Sequence, residues 1–558
     1  MLKKFVNKDM IFLLAICLIF LLFVMPNMRI AGFSTDEIST GLWGLYFLDG
    51  KNVEDGSSVH INILGKRFPT DFIVPYAFAL PCYMLIPLFI LFGINVLSLK
   101  MLSVLLSVLS LPVVYYLCNK LFNRRVAIIT TLLLAISPFF IHYTRIGLHV
   151  HETILNFLFL LSILFAVLYY IKKRGFYLYL SGYLLGAGLS IKVTFFSRLL
   201  GLFFMAVLLF NKNIFSFAKT NLNIRRILGI IFSFSFGAFL FIYFNVSTRG
   251  LTFRYINGDD KNEKTQISMK NIAFNENLRN RLVQLKTLIK EEIGNTEGFP
   301  FSIKGKYLPI LKQFSFLLFI IAFFFNLIYT LFFKRSFFNL KMILSIYIVY
   351  TVMFFSTAFF MNRIADRHLA MLYPFPQLII AVFLDNLYCI AREICFKPVL
   401  RIMTFILVPL IILMPLIMND FCSIFSYHSI LKKTGGRSYW SPIIYDILVY
   451  IKANQLDKYP IYCIDYGWNG IIEFLIKEEK SLLNFDFLNY ASHRELVFDK
   501  LRLVLTTHTD LYVIASPGEN FKVLEEDMIK LNRKIIVDKV FYNKINEPQY
   551  YLYHVKSI

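Results

Sequence analysis

The sequence predicts an all-α polytopic membrane domain of about eleven transmembrane helices, followed by a small α/β domain. Three observations predict it. The chain is 57% hydrophobic and 17% charged, whereas an ordinary soluble domain is about 25% charged. Its apolar residues are gathered into runs close to the length that crosses a bilayer. Much of its net charge of +23 sits in short clusters between those runs, and short loops rich in Lys and Arg stay in the cytoplasm. The same figures exclude a disordered chain, a nucleic-acid-binding arm and a single soluble fold.

The elements follow in order. Lys3, Lys4 and Lys8 precede an apolar run from Met10 to Met25, and no small-x-small cleavage site follows Pro26. This reads as an uncleaved first span with its N-terminus in the cytoplasm. Ten further runs lie at about 97–118, 126–141, 153–171, 176–191, 194–210, 227–245, 309–333, 341–361, 369–390 and 402–418. The basic clusters between them are Lys120 with Arg124 and Arg125, Lys172-Lys173-Arg174, Arg225-Arg226, Lys334-Arg335, and Arg392 with Lys397 and Arg401. Residues 70–93 are also apolar, but counting them as a crossing would put two of these clusters outside. They hold Pro75, Pro81 and Pro87, each of which removes a helix hydrogen bond. They read as a juxtamembrane or re-entrant element on the outer face, the alternative being a proline-kinked span.

The membrane domain then covers residues 1–418, with outer loops at about 27–96 and 246–308. Residues 419–558 form an extracytoplasmic α/β domain, placing the C-terminus outside. Ile461–Asp465, Leu511–Ala515, Ile535–Val540 and Tyr550–Val555 read as strands, and a helical run starts at Ile471. Gly467 and Gly470 lack the third glycine of a dinucleotide fingerprint. Seven cysteines are not a disulfide framework. Cys17, Cys118 and Cys389 read as packing residues; Cys422 and Cys463 could pair if their segment is outside.

Chemistry is expected where polar groups meet the outer face, because ionisable groups at a membrane are costly and often functional. Asp36 and Glu37 follow the first span. A carboxylate there could act as general base, or the pair could open a helix capped by Ser34 or Thr35. The loop from Ser137 to Thr153 holds His142, Arg145, His149, His151 and Glu152. If helical, Arg145, His149 and Glu152 share one face. His149 and His151, two apart, do not suit two metal ligands on one helix face. Lys192 interrupts the stretch Leu184–Phe210, with Arg198 six residues later; both could snorkel to water or hold an anionic headgroup. Arg363, Asp366, Arg367 and His368 form a basic cluster on the side assigned outside, suited to a phosphate. Carboxylates and cations on one face fit transfer of a group from a lipid phosphate: the acceptor hydroxyl needs a base and the leaving phosphate needs positive partners.

The layout resembles the GT-C superfamily of membrane glycosyltransferases, and within it the protein O-mannosyltransferases and the lipid A aminoarabinose transferases. The features that carry this are Asp36-Glu37 after one span, the proline-rich stretch ending in Leu91-Phe92-Gly93-Ile94-Asn95, Ser137-Pro138 with Arg145 and Glu152, Lys192 after a glycine-rich span, and Arg367-His368 before Pro374. The resemblance implies a polyprenyl-phosphate sugar donor and inverting transfer on the outer face to a lipid, glycan or protein acceptor. It makes Asp36 the first-loop acid and Glu152 a second outer acid. Glu37 stands beside them as a catalytic candidate. Lys192, Arg367, Lys66, Arg145 and His368 are candidates for the donor phosphate, and His149 and His151 for the acceptor or sugar. No cofactor is expected to be required, although a divalent metal on Asp36 and Glu152 stays possible. Rival readings are a flippase for a polyprenyl-linked sugar and a non-catalytic assembly protein. A transporter would favour inverted repeats, which the sequence does not display.

Overall fold

The computed structural model describes residues 8–28, 35–49, 59–72, 74–146, 151–210, 224–257, 274–290, 308–332, 337–360, 366–394, 398–435, 442–464, 482–483, 494–508, 510–516, 518–544 and 546–557. The first part runs α1 (Lys8–Val24), α2 (Thr35–Asp49), the hairpin β1 (His60–Ile63) with β2 (Lys66–Pro69), β3 (Asp71–Phe72) with β4 (Val74–Phe78), and α3 (Leu80–Phe92). Then come α4 (Val96–Leu121), α5 (Arg124–Ala135), α6 (Pro138–Arg145), α7 (Glu152–Lys172), α8 (Gly175–Leu189) and α9 (Phe196–Phe210). They are followed by α10 (Ile224–Gly237), α11 (Phe239–Ser247), α12 (Leu251–Asn257), α13 (Phe274–Ile289), α14 (Leu308–Phe332), α15 (Phe337–Phe360), a 3-10 turn at Asp366–Leu372, α16 (Phe375–Ile394) and α17 (Pro398–Thr434).

Each of the eleven apolar runs carries a helix, but they are not eleven equal spans. Among the described residues, five helical segments are long and apolar enough to cross a bilayer, or seven if two bent pairs each count once. One pair is α5–α6, bent by 54° where Ser137 caps α6 and Pro138 opens it. Proline cannot continue the preceding helix, which therefore ends before it. The other is α10–α11, bent by 71°. The remaining four runs fold as α1, α8 and α9, of 17, 15 and 15 residues, and α15.

Polar contacts define one end of the bundle. Arg124 donates to Asp9 at 2.8 Å and Arg125 to Asp385 at 2.7 Å, with the Arg125 guanidinium 3.8 Å above Tyr388. The start of α1, the α4–α5 loop and the far end of α16 thus meet at a basic end. At the start of α7, Ser103 of α4 and Thr153 hydrogen-bond at 2.7 Å, so α4 and α7 run side by side and Lys172 reaches this same end. Everything below concerns the opposite end.

Residues 70–93 divide between β3, β4 and α3. Pro75 lies in β4, and Pro81 sits in the first turn of α3, where a missing N–H costs nothing. Thirteen residues of helix rise about 20 Å, short of a hydrocarbon core of about 30 Å. Phe78 N donates to Ile191 O at 2.9 Å before α3, and Gly93, at φ +73°, turns the chain into α4 after it. Both ends of α3 therefore stay at the end opposite the basic one.

α8 and α10 pack closely against each other. A Cβ on Gly186 would lie 2.1 Å from Phe234 O, and one on Gly237 would lie 2.1 Å from Tyr183 O. Small residues let the two backbones touch, as membrane helices do where the hydrophobic effect cannot pull them together. Ser190 Oγ donates to Gly237 O at 2.8 Å.

α17 continues through residue 419, where the sequence places the start of the outer domain, and ends at Thr434. The sheet-bearing unit follows it: α18 (Ile443–Ala453), β5 (Ile461–Cys463), β6 (Leu482–Leu483), α19 (Arg494–Thr507), β7 (Leu511–Ala515), α20 (Glu519–Lys530), β8 (Arg533–Tyr542) and β9 (Pro548–Ser557). The strand order is β6-β5-β7-β9-β8, with β6, β5 and β7 parallel and β9 and β8 antiparallel. Four of the expected strands are present; Gly467, Gly470 and the run from Ile471 lie outside the described residues. Cys422 is exposed, Cys463 is buried in β5, and both are free thiols, so the possible pair does not form.

Candidate active site

Two groups of buried charge sit at the end opposite the basic clusters. The first joins α2, α4 and α6. α2 begins at Thr35, so Asp36 and Glu37 lie in its first turn, where acids suit the helix dipole. The side chain of Asp36 is outside the described set. Glu37 is fully buried and its Oε2 lies 3.6 Å from Lys100 Nζ, also fully buried. Asn95 caps α4 by accepting from Leu97 N and Ser98 N, which starts the helix in the phase that turns Lys100 inward. Lys100 also donates to Arg145 O at 3.2 Å.

Arg145 closes this group. Its guanidinium donates to Val24 O at 2.6 Å, Pro26 O at 2.5 Å and Asn27 O at 3.1 Å. Val24 is the last residue of α1 and Pro26 and Asn27 lie in the turn after it, so the guanidinium sits at the C-terminal end of the helix, where a cation is favoured. It also lies 5.5 Å from the Tyr427 ring. Arg145, a candidate for the donor phosphate, places Nη1 and Nη2 on these carbonyls and so ties the end of α6 to the end of α1. The expected shared face of Arg145, His149 and Glu152 does not form. α6 stops at Arg145, His151 takes a left-handed φ of 60°, and α7 begins afresh at Glu152.

The second group joins α7, α9 and the 3-10 turn. Arg198 Nη2 donates to Glu152 Oε2 at 2.5 Å and to Asn156 Oδ1 at 2.6 Å. His368 Nδ1 lies 3.7 Å from Glu152 Oε1. Asn156 Nδ2 donates to Ala370 O at 2.7 Å, which pins the turn carrying His368 and Arg367. Arg198 is 0% exposed, yet among the described residues its Nε and Nη1 have no hydrogen-bond partner. A buried guanidinium with donors unspent is suited to an anion.

His151 links the groups. Its Nε2 lies 3.2 Å from Thr40 Oγ1, one helical turn after Asp36 on α2. Burial holds the His151 imidazole down at about 3, and the nearby Lys192 ammonium pushes the same way. His151 is therefore a neutral hydrogen-bonding group throughout the physiological range. The Lys192 backbone bridges to Ala77 of β4, and its ammonium lies 5.8 Å from the Tyr76 ring.

The structure thus gathers Glu37, His151, Glu152, Lys192 and His368, with the Asp36 turn among them. Lys66 is exposed in β2, and no described contact ties it to either group. His149, Arg363 and the side chain of Arg367 lie outside the described residues. Sequence reasoning missed Lys100, Asn156 and Thr40, and noted Arg198 only as a charge near Lys192. The available signal was a Lys four residues inside the apolar segment that starts at Val96.

Residues 80–236, from α3 to α10, match the family model of dolichyl-phosphate-mannose-protein mannosyltransferases. ArnT from Cupriavidus metallidurans, in a crystal structure bound to undecaprenyl phosphate, superposes over 98% of this chain and 97% of its own, with a TM-score of 0.59 at 10% identity. The chain has a GT-C fold. The Archaeoglobus fulgidus oligosaccharyltransferase in its apo form shares that GT-C fold over 92% of this chain and 70% of its own, with a TM-score of 0.56 at 12% identity. The structure of AglB from the same organism with an inhibitory peptide and a dolichol-phosphate gives 0.53 at 12%, over 92% and 69%. No curated protein matches the chain in sequence. The span of the family match includes Lys100, Arg145, Glu152, Lys192 and Arg198, which make up most of both charged groups.

Proposed function

We propose that this chain is a membrane glycosyltransferase that moves a hexosyl or pentosyl group from a polyprenyl-phosphate donor to an acceptor hydroxyl, with inversion, on the outer face. The observation that carries this reading is the buried Glu152–Arg198–His368 group, tied through His151 and Thr40 to the acid-bearing turn of α2. Asp36 takes the proton from the acceptor hydroxyl. The freed oxygen attacks the anomeric carbon while the carbon–oxygen bond to the phosphate breaks, and polyprenyl phosphate leaves. Arg198, Lys192, Arg367 and His368 stabilise the phosphate as its charge develops. Glu152 holds Arg198 and supports the acceptor. The basic end faces the cytoplasm, which puts the site and the sheet-bearing unit outside. That unit shapes access for a lipid, glycan or protein acceptor.

Asp36→Asn is expected to lower transfer of labelled sugar from a polyprenyl-phosphate donor by about 100-fold, within the usual range for a lost general base. The measurement uses membranes with matched levels of both proteins. Near-normal transfer by the variant would sink the assignment of Asp36. On this reading the chain's own cations face the leaving phosphate, so treatment with EDTA leaves the rate unchanged. A rate lost to EDTA and restored by Mn²⁺ would instead place a divalent ion between Asp36 and Glu152.

A further inference from the structure

Asp36 and Glu37 are neighbours in sequence, but α2 sends them to different tasks. Neighbouring residues on a helix project about 100° apart, so the buried direction of Glu37 is not one that Asp36 has to share. Glu37 is 0% exposed and faces Lys100 at 3.6 Å inside the bundle. Lys100 donates onward to Arg145 O, and Arg145 grips the last carbonyl of α1, at Val24, and the Pro26 and Asn27 carbonyls just after it. The chain between α1 and α2 is thereby held at both ends, by Arg145 at residues 24–27 and by Lys100 at Glu37. Asp36 lies immediately beside the second hold. A charge pair buried in an apolar bundle is costly to break on one side, because the remaining charge is left unpaired.

We infer that Lys100 and Glu37 are positioning residues: their buried ion pair sets the placement of the first turn of α2, and through it of Asp36, while neither touches substrate. The inference deepens the glycosyltransferase reading and rests on it for its kinetic part. Its structural part does not need that reading.

The test compares Lys100→Met, Glu37→Leu and the double variant in the full-length protein in detergent. Lys100→Met is expected to lower kcat by about 30-fold, or about 2 kcal/mol at 1.36 kcal/mol per tenfold, with the donor KM close to the parent value. The double variant removes both charges and leaves neither stranded, so it recovers to within about fivefold of the parent kcat. Amide hydrogen exchange read without substrate is expected to speed up in residues 35–49 of Lys100→Met but not in α7. A double variant as inactive as Asp36→Asn would overturn the inference, since Glu37 would then act on the reacting groups. Unchanged kcat and unchanged exchange in Lys100→Met would also overturn it. Faster exchange in α2 with no sugar transfer by the parent protein would leave the ion-pair hold standing and count against the glycosyltransferase reading alone. Should Lys100→Met not accumulate, Lys100→Arg keeps the charge, and its kcat is expected to stay near the parent value.

Discussion

Arg198→Met is expected to destabilise the folded chain by about 3–5 kcal/mol, the usual cost of stripping one partner from a buried ion pair, and to abolish sugar transfer. The guanidinium is fully buried and holds both the Glu152 carboxylate and the Asn156 amide oxygen. Removing it leaves the buried Glu152 carboxylate with His368, 3.7 Å away, in place of its guanidinium partner, and loosens Asn156, which anchors the 3-10 turn at Ala370. Thermal unfolding in detergent measures the first effect, and the transfer assay the second. The double variant Glu152→Gln with Arg198→Met separates them. Neutralising both partners is expected to restore much of the stability, as buried pairs replaced together often tolerate it. Transfer should stay lost, because the phosphate partner has gone. A double variant that regains transfer would remove Arg198 and Glu152 from the reaction. This is the opposite of the outcome expected for Lys100 and Glu37, so the two buried pairs can be told apart by the same kind of experiment.

Gly186→Val is the second large effect. Its first added carbon would sit 2.1 Å from Phe234 O and 2.7 Å from Ala238 N, both backbone atoms. Neither can swing aside, so α8 and α10 must part. Overpacking a tight core typically costs about 1–3 kcal/mol and sometimes more, and a backbone clash belongs at the upper end. The damage does not stay in the helices. α8 ends at Leu189, and the chain then passes Lys192 and reaches Arg198 within nine residues. Gly188 also faces the Phe195 ring, where a Cβ would lie 2.5 Å away. A shift in α8 therefore moves both cations of the site. The expected result is a lower unfolding temperature together with a loss of transfer of about tenfold or more, the factor that 1.36 kcal/mol of barrier represents. Gly237→Val, which meets Tyr183 O from the other side, should reproduce it. Normal stability in either variant would mean the helices do not touch there.

Several features were legible before any fold was known. The basic cluster at Lys120, Arg124 and Arg125 predicted a common end, and its arginines meet Asp9 and Asp385 there. The prolines of residues 70–93 favoured an outer-face element over a kinked span, and the helix within it runs for only 13 residues. The strands at 511–515 and 550–555 fall inside β7 and β9. Other features were misread for physical reasons. Spacing of i, i+4 and i+7 from Arg145 places three residues on one face only if one helix runs through them. The chain between α6 and α7 instead turns through a left-handed residue at His151. Arg145 looked like a phosphate ligand because an Arg at a membrane face is usually free to bind one. In the structure it holds carbonyls more than a hundred residues away, at and just after the end of α1.

The sequence by itself determined that this is a membrane protein with basic loops at one end, polar chemistry at the other and an α/β tail, because hydropathy and charge act locally along the chain. Only the tertiary structure decided which charges meet. Lys100 finds Glu37 from another helix, Arg198 finds Glu152 and Asn156 across the bundle, and Arg145 turns to cap α1. The reason is energetic. A charge buried among apolar helices must be paired, and the partner is whichever group the packing brings within a few ångströms, a choice that distance along the chain does not record.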